Sequence, residues 1–187
     1  LHQEEKQLIM LAVENNRQAQ QQIYAKFSSK MLSVCRQYIK DIHHAEDVMI
    51  TGFMKVFTNL KNFEHKGSFE GWIRRIMVYE CIDFLRVKKN NFNHQDIDDV
   101  TVSENESVYE MEDFSVDDIQ NMIDNLPDGY KMVFNLYAIE GYKHQEIAEM
   151  LKISEGTSKS QLSHARKLLQ QQITDLKNKL NDIATIR

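Results

Sequence analysis

IEGYKHQEIAEMLKISEGTSKSQLSHARKLLQQQI, residues 139–173, contains two helical patterns separated by three residues. In the first, Lys143 to Leu151, the residues Ile147, Met150 and Leu151 recur at the spacing of one buried face. Ala148 offers a small side chain where a second helix can cross closely. Lys152-Ile153-Ser154 forms the break, and Ser154 is a suitable N-cap whose oxygen accepts from the free amides of Gly156 or Thr157. Beyond it Leu162, Ala165, Leu169 and Ile173 make one apolar stripe, while Lys159, Ser160, Ser163, His164 and Lys167 occupy the opposite face. The pattern fits a helix-turn-helix with a polar, donor-rich recognition helix. Any two amphipathic helices joined by a tight turn share the spacing. Gly156-Thr157 favours the DNA reading, because a phosphate can approach a helix start that has no side chain in the way.

The chain has 187 residues, room for one large domain or two small ones. Hydrophobic residues are 42% of it, enough for packed cores, and no apolar run reaches the 18 or so residues of a membrane span. The polar, acidic start at Gln3-Glu4-Glu5 gives no expectation of a secretory signal. One proline, six glycines and abundant Gln, Leu, Lys and Met indicate an all-α protein. Cys35 and Cys81 lack CxxC spacing and read as reduced, buried thiols of a cytoplasmic protein. His43-His44 lacks a third ligand at a defined spacing, so no metal and no cofactor is expected. The net charge of -5 conceals an asymmetry. Residues 96–118 hold ten carboxylates and no Lys or Arg, whereas 1–95 carry a net +4 and 119–187 a net +1. The parts on either side of the acidic segment can therefore still meet a polyanion.

That acidic segment has weak periodicity and reads as a flexible linker between two helical domains. Its charge suits a solubilising spacer, or a mimic of nucleic-acid backbone inside a partner's basic channel. Before it, helical patterns run from Lys6 to Asn15, Gln18 to Lys40 with a break expected near Ser28-Ser29, His44 to Leu60, and Phe69 to Lys89 behind an N-cap at Ser68. The connection Phe63-Glu64-His65-Lys66-Gly67-Ser68 combines turn residues, an aromatic and basic groups. Trp72, Arg74, Arg75, Tyr79, Arg86, Lys88 and Lys89 follow on the next helix. Expelled bases are held by stacking, edge contacts and backbone cations, and this stretch supplies all three. Phe69, Trp72 and Tyr79 also fit a plain core, the better reading for Trp72, which lies in line with Phe69 and Ile76. After the linker, helices are expected from Ile119 to Leu126 and from Tyr130 to Ile139.

Three motifs in order resemble an extracytoplasmic-function (group 4, sigma-70 family) RNA polymerase sigma factor. Ala45-Glu46-Asp47-Val48 with Phe53-Met54-Lys55-Val56-Phe57 resembles the polymerase-binding helix. Ser68-Phe69-Glu70-Gly71-Trp72-Ile73, Arg75-Ile76 and Ile82-Asp83-Phe84-Leu85-Arg86 resemble the promoter-melting segment. Leu126-Pro127, Glu140-Gly141-Tyr142, Glu146-Ile147-Ala148, Ser154-Glu155-Gly156-Thr157, Lys159-Ser160 and Ala165-Arg166 resemble the C-terminal DNA-binding domain.

The resemblance implies region 2 over residues 1–92, the acidic linker over 93–118 and region 4 over 119–187. It implies the RNA polymerase core as partner, through its largest-subunit clamp helices and its flap, with Asp47, Phe53 and Lys55 docking on the clamp helices. The loop Phe63, Glu64, His65, Lys66, Gly67 and Ser68 would capture a base flipped from the minus-ten element, and Arg75, Tyr79 and Asp83 would lie along that DNA. Lys159, Ser160, Ser163 and His164 would face the minus-thirty-five element, with Arg166 and the helix start at Ser154, Gly156 and Thr157 on phosphates. The linker would thread towards the polymerase active-site cleft, which favours nucleic-acid mimicry. An anti-sigma factor is the further partner implied, with no membrane insertion. No covalent chemistry is expected, since no base–nucleophile pair or ligand cluster is visible. A stand-alone helix-turn-helix regulator with an N-terminal sensor domain is the rival, and it leaves the first two motifs unexplained.

Several positions depart from the family pattern. Ile50-Thr51 replace a frequent Gln-Glu, Tyr79 a frequent Asn, and Gln161 and His164 frequent arginines. Lys152 stands where glycine is common, so a positive φ there costs about 1 kcal/mol.

Overall fold

The computed structural model describes residues 3–91 and 115–185, and side chains over 3–87 and 115–178. Most of the expected acidic linker, residues 92–114, lies outside the described residues, as do the side chains of Lys88 and Lys89. All regular elements among the described residues are helical, and the chain divides into two compact units, Leu1–Asn93 and His94–Arg187.

The first unit contains α1 (Gln3–Val13), α2 (Arg17–Tyr38), α3 (Ile42–Asn59), a 3₁₀ turn (Leu60–Asn62) and α4 (Phe69–Asn91). In α2, Ala19, Ile23, Phe27, Met31, Val34, Cys35 and Tyr38 are all buried, a stripe at helical period. The break expected at Ser28-Ser29 does not occur. The apolar stripe continues on both sides of these serines, and packing outweighs their weak helix propensity. Helices α2, α3 and α4 pack against one another, and α1 packs on α2. Phe27 meets Phe69 edge-on with ring centroids 5.7 Å apart. The Asp41 side chain caps α3 by accepting from the His44 amide, and Ser68 caps α4 by accepting from the Gly71 amide at 3.0 Å. At Gly52 α3 comes so close to α4 that a Cβ would overlap the sulfur of Met77.

The second unit contains α5 (Val116–Asp124), α6 (Asp128–Phe134), a π turn (Asn135–Ile139), α7 (His144–Leu151) and α8 (Glu155–Thr185). Helix α5 starts three residues before the expected Ile119, because Ser115 and Asp118 form a reciprocal capping box. The segment expected as one helix from Tyr130 to Ile139 is an α-helix whose last turn widens into a π turn, closed by Glu140 N–H donating to the Asn135 carbonyl. Gly141, at φ 76°, then turns the chain into α7. Ile123, Leu126, Val133, Leu136, Ile147, Leu162 and Ala165 form the core.

Candidate nucleic-acid interfaces

In the first unit the α3–α4 connection builds the candidate site for a single base. Phe63 is only 6% exposed, wedged against Phe69 and Trp72 at centroid distances of 5.1 and 5.4 Å. It is therefore an anchor beneath the loop and not a free stacking surface, which corrects the expectation for this residue. Above it His65 adopts φ 57° with its ring 4.8 Å from Phe63, and Gly67 adopts φ 87°. Glu64 and Lys66 pair with each other at 2.6 Å, both exposed. Beside the loop a groove of about 310 Å³ opens between α3 and α4, lined by Lys55, Asn59, Asn62, Trp72, Ile76, Tyr79 and Glu80. Trp72, expected in the core, is half-buried: it stacks on Phe69 at 5.9 Å and also lines this groove. Arg75 lies over the Tyr79 ring at 5.8 Å, and Asp83 accepts from Arg86 at 2.9 Å, both on the exposed side of α4.

Two residues expected on the polymerase-facing surface sit elsewhere. Phe53 is 2% exposed, edge-on to Tyr24 at 4.8 Å and stacked near Phe57, so it is core. It falls on the α3 stripe that faces α2, one turn from Met49 and Val56. Lys55 is half-exposed, but its ammonium is bound to the carboxylate of Glu80, which makes it a wall of the groove. Asp47 does lie on the outer face of α3, with Ile50, Thr51 and Met54 exposed beside it. Glu80 is buried on α4, at a position that the sequence pattern does not single out. Its single carboxylate is tolerated because an opposite charge meets it.

In the second unit Ser154 caps α8, accepting from the Thr157 amide at 2.9 Å, and Ser160 donates to the Thr157 carbonyl. Lys152 closes α7 in the left-handed region at φ 56°, ψ 46°. Glu155, Gly156, Lys159, Ser160, Ser163 and Arg166 are exposed along one face of α8. Lys159 is paired with Glu155 at 2.7 Å. That hydrogen bond and charge hold the Glu155 carboxyl below its ordinary value, against a small opposing desolvation and with a further contribution from His144. His164 departs from the expected face: it is half-buried and stacked on Tyr130 at 5.4 Å, at the edge between α8 and α6. Arg166 lies over the ring of Tyr137 at 5.8 Å.

Three further residues here went unread in the sequence. The His144 ring stacks on Tyr137 at 4.6 Å, and its Nδ1 lies 2.9 Å from the Oγ of the buried Ser158. One signal pointed to them. Ser158 sits one turn ahead of Leu162 in the apolar stripe, and a polar group in that register needs a partner.

Among the described residues no cluster of three His, Cys, Asp or Glu side chains is placed to hold a metal ion. No helix among them is long and apolar enough to cross a membrane. Cys35 and Cys81 are free, buried thiols.

Comparison with known proteins matches residues 23–91 to sigma-70 region 2 and residues 116–169 to sigma-70 region 4. The ECF RNA polymerase sigma factor SigW of Bacillus subtilis is 29% identical over 163 residues, 80% of this chain and 86% of that protein. The ECF sigma factor SigE of Mycolicibacterium smegmatis is 30% identical over 132 residues, 68% of this chain and 51% of its own. Among solved structures, the sigma factor RpoE from Bartonella quintana, in complex with the anti-sigma factor NepR, has the same fold. Its TM-score is 0.54 at 18% identity, covering 82% of this chain and 96% of that one. CnrH in complex with the cytosolic domain of CnrY gives 0.50 at 20% identity, covering 90% and 96%. Both sigma regions are present in order, and the chain belongs to the extracytoplasmic-function sigma factors of the sigma-70 family, the factors that work with RNA polymerase in promoter-specific transcription.

Proposed function

We infer that this sigma factor opens promoter DNA by capturing a nontemplate base of the minus-ten element in the groove between α3 and α4. The observation that carries the reading is the groove itself: Trp72 and Tyr79 line it with aromatic rings, Asn59 and Asn62 line it as a hydrogen-bonded amide pair, and the loop over 63–68 follows Asn62 directly in the chain. A base expelled from the duplex forfeits a few kcal/mol of stacking, which such contacts offset. Strand opening is then differential binding, with no covalent step. Arg75 and Tyr79 lie along the single strand, and Phe63 holds the loop from below.

The outer face of α3, with Asp47, Ile50, Thr51 and Met54, docks on the clamp helices of the polymerase largest subunit. Residues 1–92 act as this first working part and 119–187 as the second, with 93–118 threading between them through the enzyme. Region 4 docks on the flap and lays α8 against the minus-thirty-five element, where Lys159, Ser160 and Ser163 face base edges while Ser154, Gly156, Thr157 and Arg166 meet phosphates. The protein acts in the cytoplasm, where the polymerase works. RpoE and CnrH are held by protein antagonists, NepR and CnrY, and an antagonist of that kind suits this chain.

Permanganate footprinting of open complexes tests the base-capture step. Trp72→Ala and His65→Ala should lower thymine reactivity in the melted region while co-elution with core polymerase is retained. Reactivity equal to that of the parent protein would refute capture in this groove. Promoter-specific binding without polymerase that accounts for all regulation would favour the stand-alone regulator instead.

A further inference from the structure

We propose that His144, held by Ser158 and Tyr137, is a phosphate-binding residue that acts with Arg166 as a two-pronged grip on one DNA strand. The proposal rests on the reading of α8 as the helix that faces the minus-thirty-five element. A helix seated in the major groove has a phosphate backbone running along each flank. On the flank of α8 towards α7, the side chains in contact are Tyr137, His144, Ser158 and Arg166. On the other flank Tyr130 stacks on His164.

Two contacts fix the His144 ring, and the capped start of α7 holds its backbone. One face lies against Tyr137 at a centroid distance of 4.6 Å and a plane angle of 22°. Its Nδ1 is 2.9 Å from the Ser158 hydroxyl, and Ser158 is fully buried. Its backbone starts α7, where the Glu146 carboxylate accepts from the Lys143 amide at 2.8 Å. Nε2 is separated from Nδ1 by Cε1, so its bonding direction diverges from the Nδ1–Ser158 axis. When the hydroxyl donates to Nδ1, the ring proton is on Nε2, and a doubly protonated ring carries one there as well. An anion at Nε2 selects these forms, so the free edge of the ring is a donor to a phosphate oxygen. The ring has little rotational freedom left to lose, which makes the contact pre-organised.

Arg166 shares the same aromatic support, its guanidinium 5.8 Å from the Tyr137 ring centre. The two distances from that centre bound the separation of the His144 ring and the Arg166 guanidinium at about 10 Å. Neighbouring phosphates of one strand fall within that span. Tyr137 sits in the π turn, which directs it outward from the core that Leu136 enters; Tyr137 is 37% exposed and Leu136 fully buried. Tyr137 and Ser158 are thus positioning residues, and His144 and Arg166 are the groups that touch DNA. Lys159 is less able to serve as the second prong, because Glu155 already holds its ammonium.

The test uses reconstituted holoenzyme and promoter DNA in which each phosphate of the minus-thirty-five region is replaced, one at a time, by a neutral methylphosphonate. The parent should lose about tenfold in affinity at the contacted phosphates, the size expected for one charge-assisted hydrogen bond. His144→Gln should lose about tenfold on unmodified DNA and nothing further at one of those positions. Arg166→Gln should behave the same way at a nearby phosphate of the same strand. Ser158→Ala, which keeps the imidazole but frees it, should give a smaller loss focused on the His144 phosphate, and it carries the test if His144→Gln melts early. A purely structural stack would weaken binding at every position alike, so losses for His144→Gln that add in full at all positions would overturn the proposal, as would parent-like affinity. A parent holoenzyme insensitive to every methylphosphonate in the region would overturn the DNA-facing reading of α8 itself, and the proposal with it.

Discussion

Lys152→Gly should stabilise the second unit, and the amount follows from one dihedral pair. Lys152 closes α7 at φ 56°, ψ 46°, where the β-carbon crowds the following carbonyl. That conformation costs an L-residue roughly 1–2 kcal/mol. Glycine escapes the clash but gives up more freedom on folding, roughly 0.5–1 kcal/mol. The net gain is about 0.7 kcal/mol. The hydrogen bonds of the turn survive the change, because Lys152 and Ile153 donate to the Ala148 carbonyl through their backbone N–H groups. For a unit of this size the gain raises Tm by roughly 3–6 °C. The assay separates the two units by probe. Trp72 is the chain's single tryptophan and lies in the first unit, so its fluorescence follows that unit alone, while circular dichroism at 222 nm follows both. Lys152→Gly should move the part of the dichroism transition that fluorescence does not see. Lys152→Ala keeps the β-carbon and should leave that transition where it was. Equal stabilisation by alanine and glycine, or none by glycine, would refute the strain argument.

Gly52→Ala should destabilise the first unit by about 1–3 kcal/mol, because the new methyl meets the Met77 sulfur at the closest approach of α3 and α4; Trp72 fluorescence in urea measures it. Phe53→Ala should cost roughly 3–5 kcal/mol by opening a cavity beside Tyr24. A loss of polymerase binding by Phe53→Ala with unchanged unfolding would return that residue to the docking surface. Acid should loosen the start of α3 through Asp41, whose carboxyl is held below its ordinary value first by the His44 amide, against a smaller desolvation, with the nearby His44 and His43 assisting. A depressed folded value means the cap contributes fully above the unfolded carboxylate range, and the contribution fades as pH falls through the lower folded value. Asp41→Asn should remove that part of the acid dependence, as read by amide exchange at His44 and Ala45. Lys159→Ala should weaken promoter protection by holoenzyme less than an unpaired lysine would, since Glu155 is released from the same bond. A footprint identical to the parent's would remove Lys159 from the DNA-facing set.

The helices were legible because their stripes are long. Ala19 to Tyr38 keeps one face apolar for five turns, and no local serine pair interrupts it. Periodicity misplaces a side chain where two helices compete for it. Phe53 and Asp47 share a motif that names a surface helix, yet only one of them faces outward, since α3 must also bury a stripe against α2. Period alone does not say which motif residue the stripe claims until its phase is fixed by Met49 and Val56. Phe63 shows the same conflict within a loop: an aromatic next to a glycine turn suits base stacking, but Phe69 and Trp72 offer it a buried seat first. Trp72 errs in the opposite sense, since a large ring can lie on Phe69 and still leave an edge for a groove. The groove was illegible for a simpler reason. Lys55, Asn59, Trp72 and Glu80 come from two helices, and nothing local in either helix records the partner across the gap.

On the proposed reading two DNA contacts act together, and the charge arrangement bears on the strength of each. On α8 the pairing of Lys159 with Glu155 cancels a fixed charge, and the exposed serines offer only neutral hydrogen bonds, which release no counterions. In the first unit Lys55 is likewise committed to Glu80, and Lys66 to Glu64. These pairings reduce the free positive charge that holds a protein to DNA of any sequence. Lower nonspecific attraction costs little in the proposed arrangement, where the polymerase fixes the spacing of the two elements and the second contact forms at an effective concentration near the millimolar range. The same cancellation sharpens selection: with less of the binding free energy coming from phosphates, a larger share depends on bases and on strand opening. A rigid pair such as His144 and Arg166 suits this arrangement, since a few pre-organised phosphate contacts set the register of α8 without raising the attraction to all DNA.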